Sequence, residues 1–97
     1  MRRLIFRLHA RSDIAEAADW YERQSAGLGI EFVRAVNTMV ASIHRNPEQY
    51  QRIRGRLRRA ALRRFPYVIF YVSSADEVTI LGCIHGKRHP RRWRQRT

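Results

Sequence analysis

The chain has 97 residues, 44% of them hydrophobic, which is enough for one modest core and excludes an intrinsically disordered chain. We therefore expect residues 1–97 to form a single domain, without a separate ligand-binding domain. Twenty Lys and Arg residues against eight Asp and Glu residues give a formal charge of +12, which points to a polyanionic partner.

This charge is concentrated in one half of the chain. Residues 1–48 hold 7 basic and 6 acidic residues, whereas residues 49–97 hold 13 basic and 2 acidic residues. Such segregation predicts an electropositive face for a nucleic acid, an acidic protein or an anionic membrane. The single cysteine and the absence of a long apolar run argue against secretion and membrane insertion, so we expect a cytoplasmic protein with no membrane partner.

The first elements are a short strand and a helix. Residues 3–8 alternate between inward apolar and outward positions, which predicts a strand. Ser12 is a favourable N-cap residue, and the apolar residues that follow recur at helical spacing, so we predict an amphipathic helix over residues 12–25. Its apolar stripe consists of Ile14, Ala17, Ala18 and Tyr21.

A second helix follows a glycine break. Gly27 and Gly29 interrupt the first pattern, and a new apolar stripe runs through residues 32–43. It ends at Asn46-Pro47, because a proline disfavours helix in the residue before it. Two amphipathic helices joined by a tight glycine turn predict an antiparallel helical hairpin.

The second half of the chain reads mainly as strands. Residues 47–57 are polar and receive no assignment, and residues 58–65 are compatible with either strand or helix. Residues 67–72 are β-branched and aromatic, which indicates a strand. A polar turn at residues 73–76 and an alternating pattern at residues 77–84 complete a β-hairpin.

These elements predict an α+β fold of order β-α-α-β-β-β. Its sheet is mainly antiparallel, and the helical hairpin packs on one face of it. The other face remains available for function. A basic tail occupies about residues 85–97.

An arginine series precedes the strongest strand. If these residues lie on one strand, Arg54, Arg56 and Arg58 project from the same face and form a phosphate or carboxylate site. The alternative is a solvated basic edge that discourages aggregation between sheets. The series between residues 52 and 64 consists of Arg52, Arg54, Arg56, Arg58, Arg59, Arg63 and Arg64.

The tail holds the candidate acid–base group. His85 is followed by Lys87, Arg88, Arg91 and Arg92, and a histidine near several arginines can cleave a phosphodiester, since histidine transfers protons and arginine stabilises the anionic transition state. The alternative is a basic tail without catalysis. Trp93 favours a docked tail, because a large aromatic side chain is rarely left in solvent.

No metal site or cofactor is expected. His85 and His89 share a face only on a helix, and Pro90 follows them without a cluster of carboxylates or cysteines. Cys83 lies in a predicted strand and is predicted to be a small buried apolar residue. No glycine-rich phosphate loop is present.

The order of these motifs resembles one family. The segment DIAEAADWYERQSAGLGIEFVRAV (residues 13–36) resembles the helical hairpin of toxins of the RelE/ParE superfamily. The segments RRAALRRFPYVIFYV (residues 58–72) and VTILGCIHGKRHPRRW (residues 78–93) resemble their C-terminal strands and tail. The resemblance implies the toxin of a type II toxin–antitoxin system.

The resemblance leaves two targets and one further alternative. RelE-like toxins cut mRNA on the ribosome, whereas ParE-like toxins poison DNA gyrase and lack a nuclease site. The only lysine here is Lys87, so the paired catalytic lysines of RelE-like toxins are missing. Glu48 is a candidate base, and Arg64, His85 and Arg88 are the candidate nuclease residues. The glycine turn and the FPYVIFY strand favour the ParE-like reading, and a non-toxic basic nucleic-acid-binding module is the remaining alternative.

The implied partner is a cognate acidic antitoxin similar to ParD. We expect its C-terminal segment to fold on the toxin, placing an amphipathic helix near Trp20 and Tyr21. Otherwise, these two side chains read as packing residues of the helical hairpin. A strand of the antitoxin is expected at an open sheet edge, with its carboxylates on the arginine series. The residues predicted to bind the target or the antitoxin are Trp20, Tyr21, Arg52, Arg54, Arg56, Arg58, Arg63, Arg64, Arg88 and Trp93.

Overall fold

The computed structural model describes residues 1–87 and contains two helices and a five-stranded sheet. In chain order the elements are β1 (Arg3–Phe6), α1 (Leu8–Gln24), α2 (Leu28–Arg45), a 3₁₀ turn (Pro47–Gln49), β2 (Gln51–Arg54), β3 (Leu57–Ala61), β4 (Tyr67–Ser73) and β5 (Glu77–His85). The strand order is β1-β5-β4-β3-β2, and among the strands of residues 1–87 only the β1–β5 pair is parallel. The predicted fold class is confirmed, and β2 is an additional short strand in the region that the sequence left unassigned.

Helix α1 begins one turn earlier than predicted. The Arg7 N–H donates to the Ile80 carbonyl, which keeps the chain extended along β5 through Arg7, and α1 starts at the next residue. The predicted N-cap at Ser12 is therefore wrong, because this residue already lies inside the helix. The apolar stripe itself is confirmed, since Ala17 is buried in the core and Ile14 packs against it.

The two helices approach closely at their connection. Gly27 adopts a left-handed conformation with φ of 88°, which favours glycine, and Gly29 faces α1. A Cβ atom on Gly29 would lie 2.6 Å from the Ala18 carbonyl oxygen. The Glu22 carboxylate accepts hydrogen bonds from the N–H groups of Gly27 (2.9 Å) and Gly29 (3.0 Å). These contacts fix the predicted helical hairpin.

The main core lies between the helical hairpin and the sheet. Phe32, Val36 and Ile43 of α2 are essentially unexposed and pack with Ile69 of β4 and Ile80 of β5. A second, smaller cluster lies on the opposite face of the sheet. It consists of Leu57, Val68, Phe70, Leu81 and Ile84.

The ambiguous segment 58–65 divides into a strand and a turn. Strand β3 ends at Ala61, and the Leu62 N–H donates to the Tyr67 carbonyl at 2.9 Å, which closes the connection to β4. The buried Phe65 ring enters the main core from this turn. The turn thereby brings Arg63 and Arg64, which precede Phe65, beside α2, where Arg64 pairs with Glu31.

Candidate functional site

The arginine series does not form the single row that the sequence predicted. Arg54 ends β2, Arg56 lies in the turn, and Arg58 belongs to β3. Gly55 has φ of 56° and reverses the chain between these strands, so the expected common face is wrong. Arg52, Arg54 and Arg56 are instead exposed around the β2–β3 hairpin.

Arg58 is a structural residue on the inner face of the hairpin. Its guanidinium donates to the carbonyl oxygens of Tyr50 (2.8 Å) and Glu48 (3.2 Å). The buried Tyr71 hydroxyl, whose pKa burial raises to about 12, donates to the Pro47 carbonyl nearby. Together these bonds hold the 3₁₀ turn against the sheet. Glu48, the candidate base, has an exposed side chain, and its carbonyl serves this structural contact.

A basic groove runs along α2, and we call it the α2 groove. It encloses about 750 Å³, and its walls carry Arg34, Arg45, Arg63 and Arg64 against the single acidic residue Glu31. Arg64 pairs with Glu31 at 2.7 Å. The apolar floor of the groove is formed by Ala35, Met39, Tyr50 and Leu62. Its combination of apolar floor and arginine walls suits an amphipathic acidic segment.

A second groove, the α1 groove, lies between α1 and the end of β5. It encloses about 530 Å³, and Asp13, Glu16 and Arg23 line it together with His85. Trp20 is 49% exposed at this groove and packs edge-on against Tyr21 at a centroid distance of 5.1 Å. Trp20 is therefore available to a partner.

Tyr21 has a different environment from its neighbour. It is half-buried, and its ring packs against Phe32 (5.3 Å) and Phe65 (4.8 Å). Burial raises the pKa of its hydroxyl, and the nearby Tyr67 adds to the effect. Tyr21 thus belongs to an aromatic cluster that lies between the two grooves, as the packing interpretation expected. Tyr21 also lines the α1 groove.

The end of β5 is held by a carboxylate on α1. Strand β1 pairs with β5 only as far as Ile80, and beyond it the Cys83 N–H donates to Asp13 Oδ2 at 3.0 Å. Cys83 is 2% exposed, as predicted, and burial raises the pKa of its thiol to about 12, with a smaller contribution from the Asp13 carboxylate. This contact was not predictable from the sequence, because the two residues are 70 positions apart.

The candidate nuclease residues are not assembled in one groove. His85 lines the α1 groove, where its Nδ1 accepts a hydrogen bond from the Lys87 N–H at 3.1 Å and its ring packs on Tyr67. Arg64 lines the α2 groove and is paired with Glu31. Arg88, Trp93 and most of the predicted tail lie outside the described residues.

The described residues also bear on metals and membranes. Between residues 1 and 87 no three His, Cys, Asp or Glu side chains are grouped so that they could hold a metal ion. Neither α1 nor α2 has both the length and the apolar character required to span a bilayer.

The α2 groove residues Arg34 and Arg45 were not predicted from the sequence, since isolated arginines on a helix surface carry no motif.

Comparisons with known proteins assign the chain to a family. Residues 4–90 match the family described as the ParE toxin of the type II toxin–antitoxin system parDE. The fold is similar to a solved chain of the chromosomal ParDE toxin–antitoxin system from P. aeruginosa, with a TM-score of 0.74 and 19% identity over 88% of this chain and 96% of that chain. No curated protein sequence matches. Since the family match spans most of the chain, the protein belongs to the ParE toxin family of type II toxin–antitoxin systems.

Proposed function

We propose that this toxin inhibits growth in the cytoplasm by poisoning DNA gyrase and that a cognate acidic antitoxin similar to ParD neutralises it. The ParE family, rather than the wider superfamily, supports gyrase as the target. The toxin then acts as a binding protein, trapping gyrase on cleaved DNA.

The separation of the candidate nuclease residues carries this proposal. Cleavage of a phosphodiester needs an acid or base and cationic groups around one phosphate. His85 and Arg64 line different grooves, and Arg64 and Arg58 already bind Glu31 and backbone carbonyls, respectively. This arrangement favours binding over catalysis for the residues that the structure describes.

A supercoiling assay with purified gyrase tests the proposal. Relaxed plasmid, ATP and gyrase are incubated with micromolar toxin, and the DNA is examined after detergent and protease treatment. We expect lost supercoiling and accumulated double-strand breaks, which the cognate antitoxin should prevent. Full supercoiling without trapped breaks contradicts gyrase poisoning.

Two further assays separate the alternatives. In a translating extract, a RelE-like nuclease cleaves mRNA, and the cleavage is lost in His85→Ala, whereas a gyrase poison leaves transcripts intact. Expression of the toxin in a bacterium without its neighbouring open reading frame distinguishes the two toxin mechanisms from a non-toxic nucleic-acid-binding module. Either toxin should arrest growth, whereas normal growth supports the module.

The antitoxin is proposed to use both flanks of the helical hairpin. Its carboxylates are expected in the α2 groove, where Arg63 and Arg34 remain without an acidic side-chain partner within residues 1–87. Its apolar anchor is expected at the exposed Trp20. The antitoxin segment therefore crosses the helical layer between the two grooves. Charge pairs that become buried in this contact should contribute more to the binding free energy than exposed pairs, which are worth about 0–1 kcal/mol each.

A further inference from the structure

The β2–β3 hairpin forms the outer edge of the sheet and carries unpaired positive charge. Strand β2 is the last in the sheet order, and the turn at Gly55 connects it to β3. Arg52, Arg54 and Arg56 are exposed on this hairpin. No acidic residue occurs between Glu48 and Asp76, so the sequence places no carboxylate among them.

These three arginines differ from Arg58 and Arg64 of the same series. Arg58 donates to two backbone carbonyls, Arg64 pairs with Glu31, and Arg63 lines the α2 groove. Within residues 1–87, Arg52, Arg54 and Arg56 form no ion pair and donate no side-chain hydrogen bond. Their exposed guanidinium groups are therefore free to bind an external anion at the hairpin.

Apart from positive charge, the side chains of the hairpin offer few apolar or aromatic contacts to a bound anion. Its apolar residues Ile53 and Leu57 turn towards the second hydrophobic cluster. No aromatic residue occurs between Tyr50 and Phe65 on which an unpaired base could stack. A single-stranded nucleic acid needs such stacking platforms, so it fits this surface poorly.

We propose that the β2–β3 hairpin binds the phosphate backbone of duplex DNA without sequence specificity. Duplex DNA presents one charge for about every 1.7 Å of its axis, and guanidinium groups bind phosphate through two parallel hydrogen bonds. A two-stranded ribbon fits the major groove, which is about 12 Å wide. This goes beyond the proposed gyrase activity, because the toxin itself contacts DNA and does so without gyrase.

The hairpin is also preorganised for this contact. Paired backbones join Gln51 to Arg59 and Arg52 to Arg58, and the Arg58 side chain ties β3 to the chain preceding β2. The buried Leu57 anchors the hairpin on the sheet. Binding therefore orders only the arginine side chains, which limits its entropic cost.

The test compares two variants of equal charge. One replaces Arg52, Arg54 and Arg56 with Gln, and the control replaces Arg7, Arg11 and Arg23, which are exposed at the start of α1 and along it, with Gln. Binding to a fluorescent random-sequence duplex is measured by anisotropy at several salt concentrations, with far-UV circular dichroism as the check on folding. A third variant replaces Arg52, Arg54 and Arg56 with Lys and so keeps the charge of the hairpin.

We expect the hairpin Gln variant to lose at least about tenfold in affinity at low salt, with its logarithmic salt slope reduced by roughly 2 to 3. The helix variant should change less than about twofold, and the Lys variant should retain most of the binding. Equal losses in the two Gln variants, or no loss in either, overturn the proposal. Tighter binding of an equally long single-stranded RNA than of the duplex also overturns it. Because gyrase is absent, these outcomes do not depend on the gyrase proposal.

Discussion

The two grooves that flank the helical hairpin are lined by charges of opposite sign. The α2 groove has four arginines against one glutamate, whereas the α1 groove has two carboxylates, Asp13 and Glu16, against Arg23. An acidic partner segment is therefore attracted to one flank and repelled by the other. The net charge of the whole chain does not reveal this difference.

The grooves share one structural support. The rings of Tyr21, Phe32, Phe65 and Tyr67 pack at centroid distances between 4.8 and 6.1 Å under the hairpin. Tyr21 and Tyr67 also line the α1 groove, and Phe65 lies next to Arg64 of the α2 groove. Damage to this cluster should disturb both grooves, whereas a change in one wall should affect one function.

The largest effect is expected from Phe32→Ala, which removes the centre of the shared support. Phe32 is 0% exposed, and truncation of a buried Phe costs about 3–5 kcal/mol because it removes apolar burial and leaves a cavity. Urea unfolding followed by circular dichroism measures the loss. Leu8→Ala, at a side chain that is 81% exposed, is the control and should change stability by less than about 0.5 kcal/mol. A cost for Phe32→Ala similar to that of the control contradicts the shared support.

Gly29→Ala should push α1 and α2 apart without removing a core side chain. The new Cβ would lie 2.6 Å from the Ala18 carbonyl, so α1 and α2 must move apart. We expect a loss of about 1–3 kcal/mol in unfolding free energy, typical of overpacking. Ile30→Ala, at the next and exposed position, is the control. A stabilised Gly29→Ala variant is incompatible with this close helix contact.

The sequence predicted the elements of the fold better than the site. The apolar periods identified α1, α2, β4 and β5, because burial on one face imposes those periods. The start of α1 was wrong, since the Arg7 N–H bond to Ile80 is a tertiary contact. The single arginine row, which depended on one strand through these residues, was also wrong, because Gly55 adopts a left-handed conformation and reverses the chain. Grooves arise from residues distant in sequence, so their opposite charges were not predictable.

Charge reversal should distinguish the grooves in antitoxin binding. Arg34→Glu combined with Arg63→Glu should slow association with the cognate antitoxin by about tenfold at low salt, because the α2 groove no longer attracts carboxylates. Arg23→Glu combined with Arg11→Glu makes the same charge change on α1 and should have a smaller effect. Stopped-flow fluorescence measures both, and high salt should reduce the difference. Equal slowing of the two variants shows that overall charge, rather than the α2 groove, governs association.

The smallest effect concerns the buried thiol beside the α1 groove. The unfolded Cys83 thiol ionises near its ordinary pKa of 9.0, whereas the folded thiol, with a pKa of about 12, stays protonated. The unfolded state therefore binds fewer protons above pH 9, and stability falls as the pH rises towards 12. Between pH 8 and pH 10 this linkage should cost about 1 kcal/mol of unfolding free energy.

The variant Cys83→Ala tests this linkage. It should be less stable than the parent at pH 8, because it leaves a small cavity, but its stability should not show this part of the decline with pH. Urea titrations of both proteins at the two pH values measure the difference. Parallel declines would mean that the thiol ionises equally easily in the folded and unfolded chains, so that the end of β5 is open to water beside Asp13.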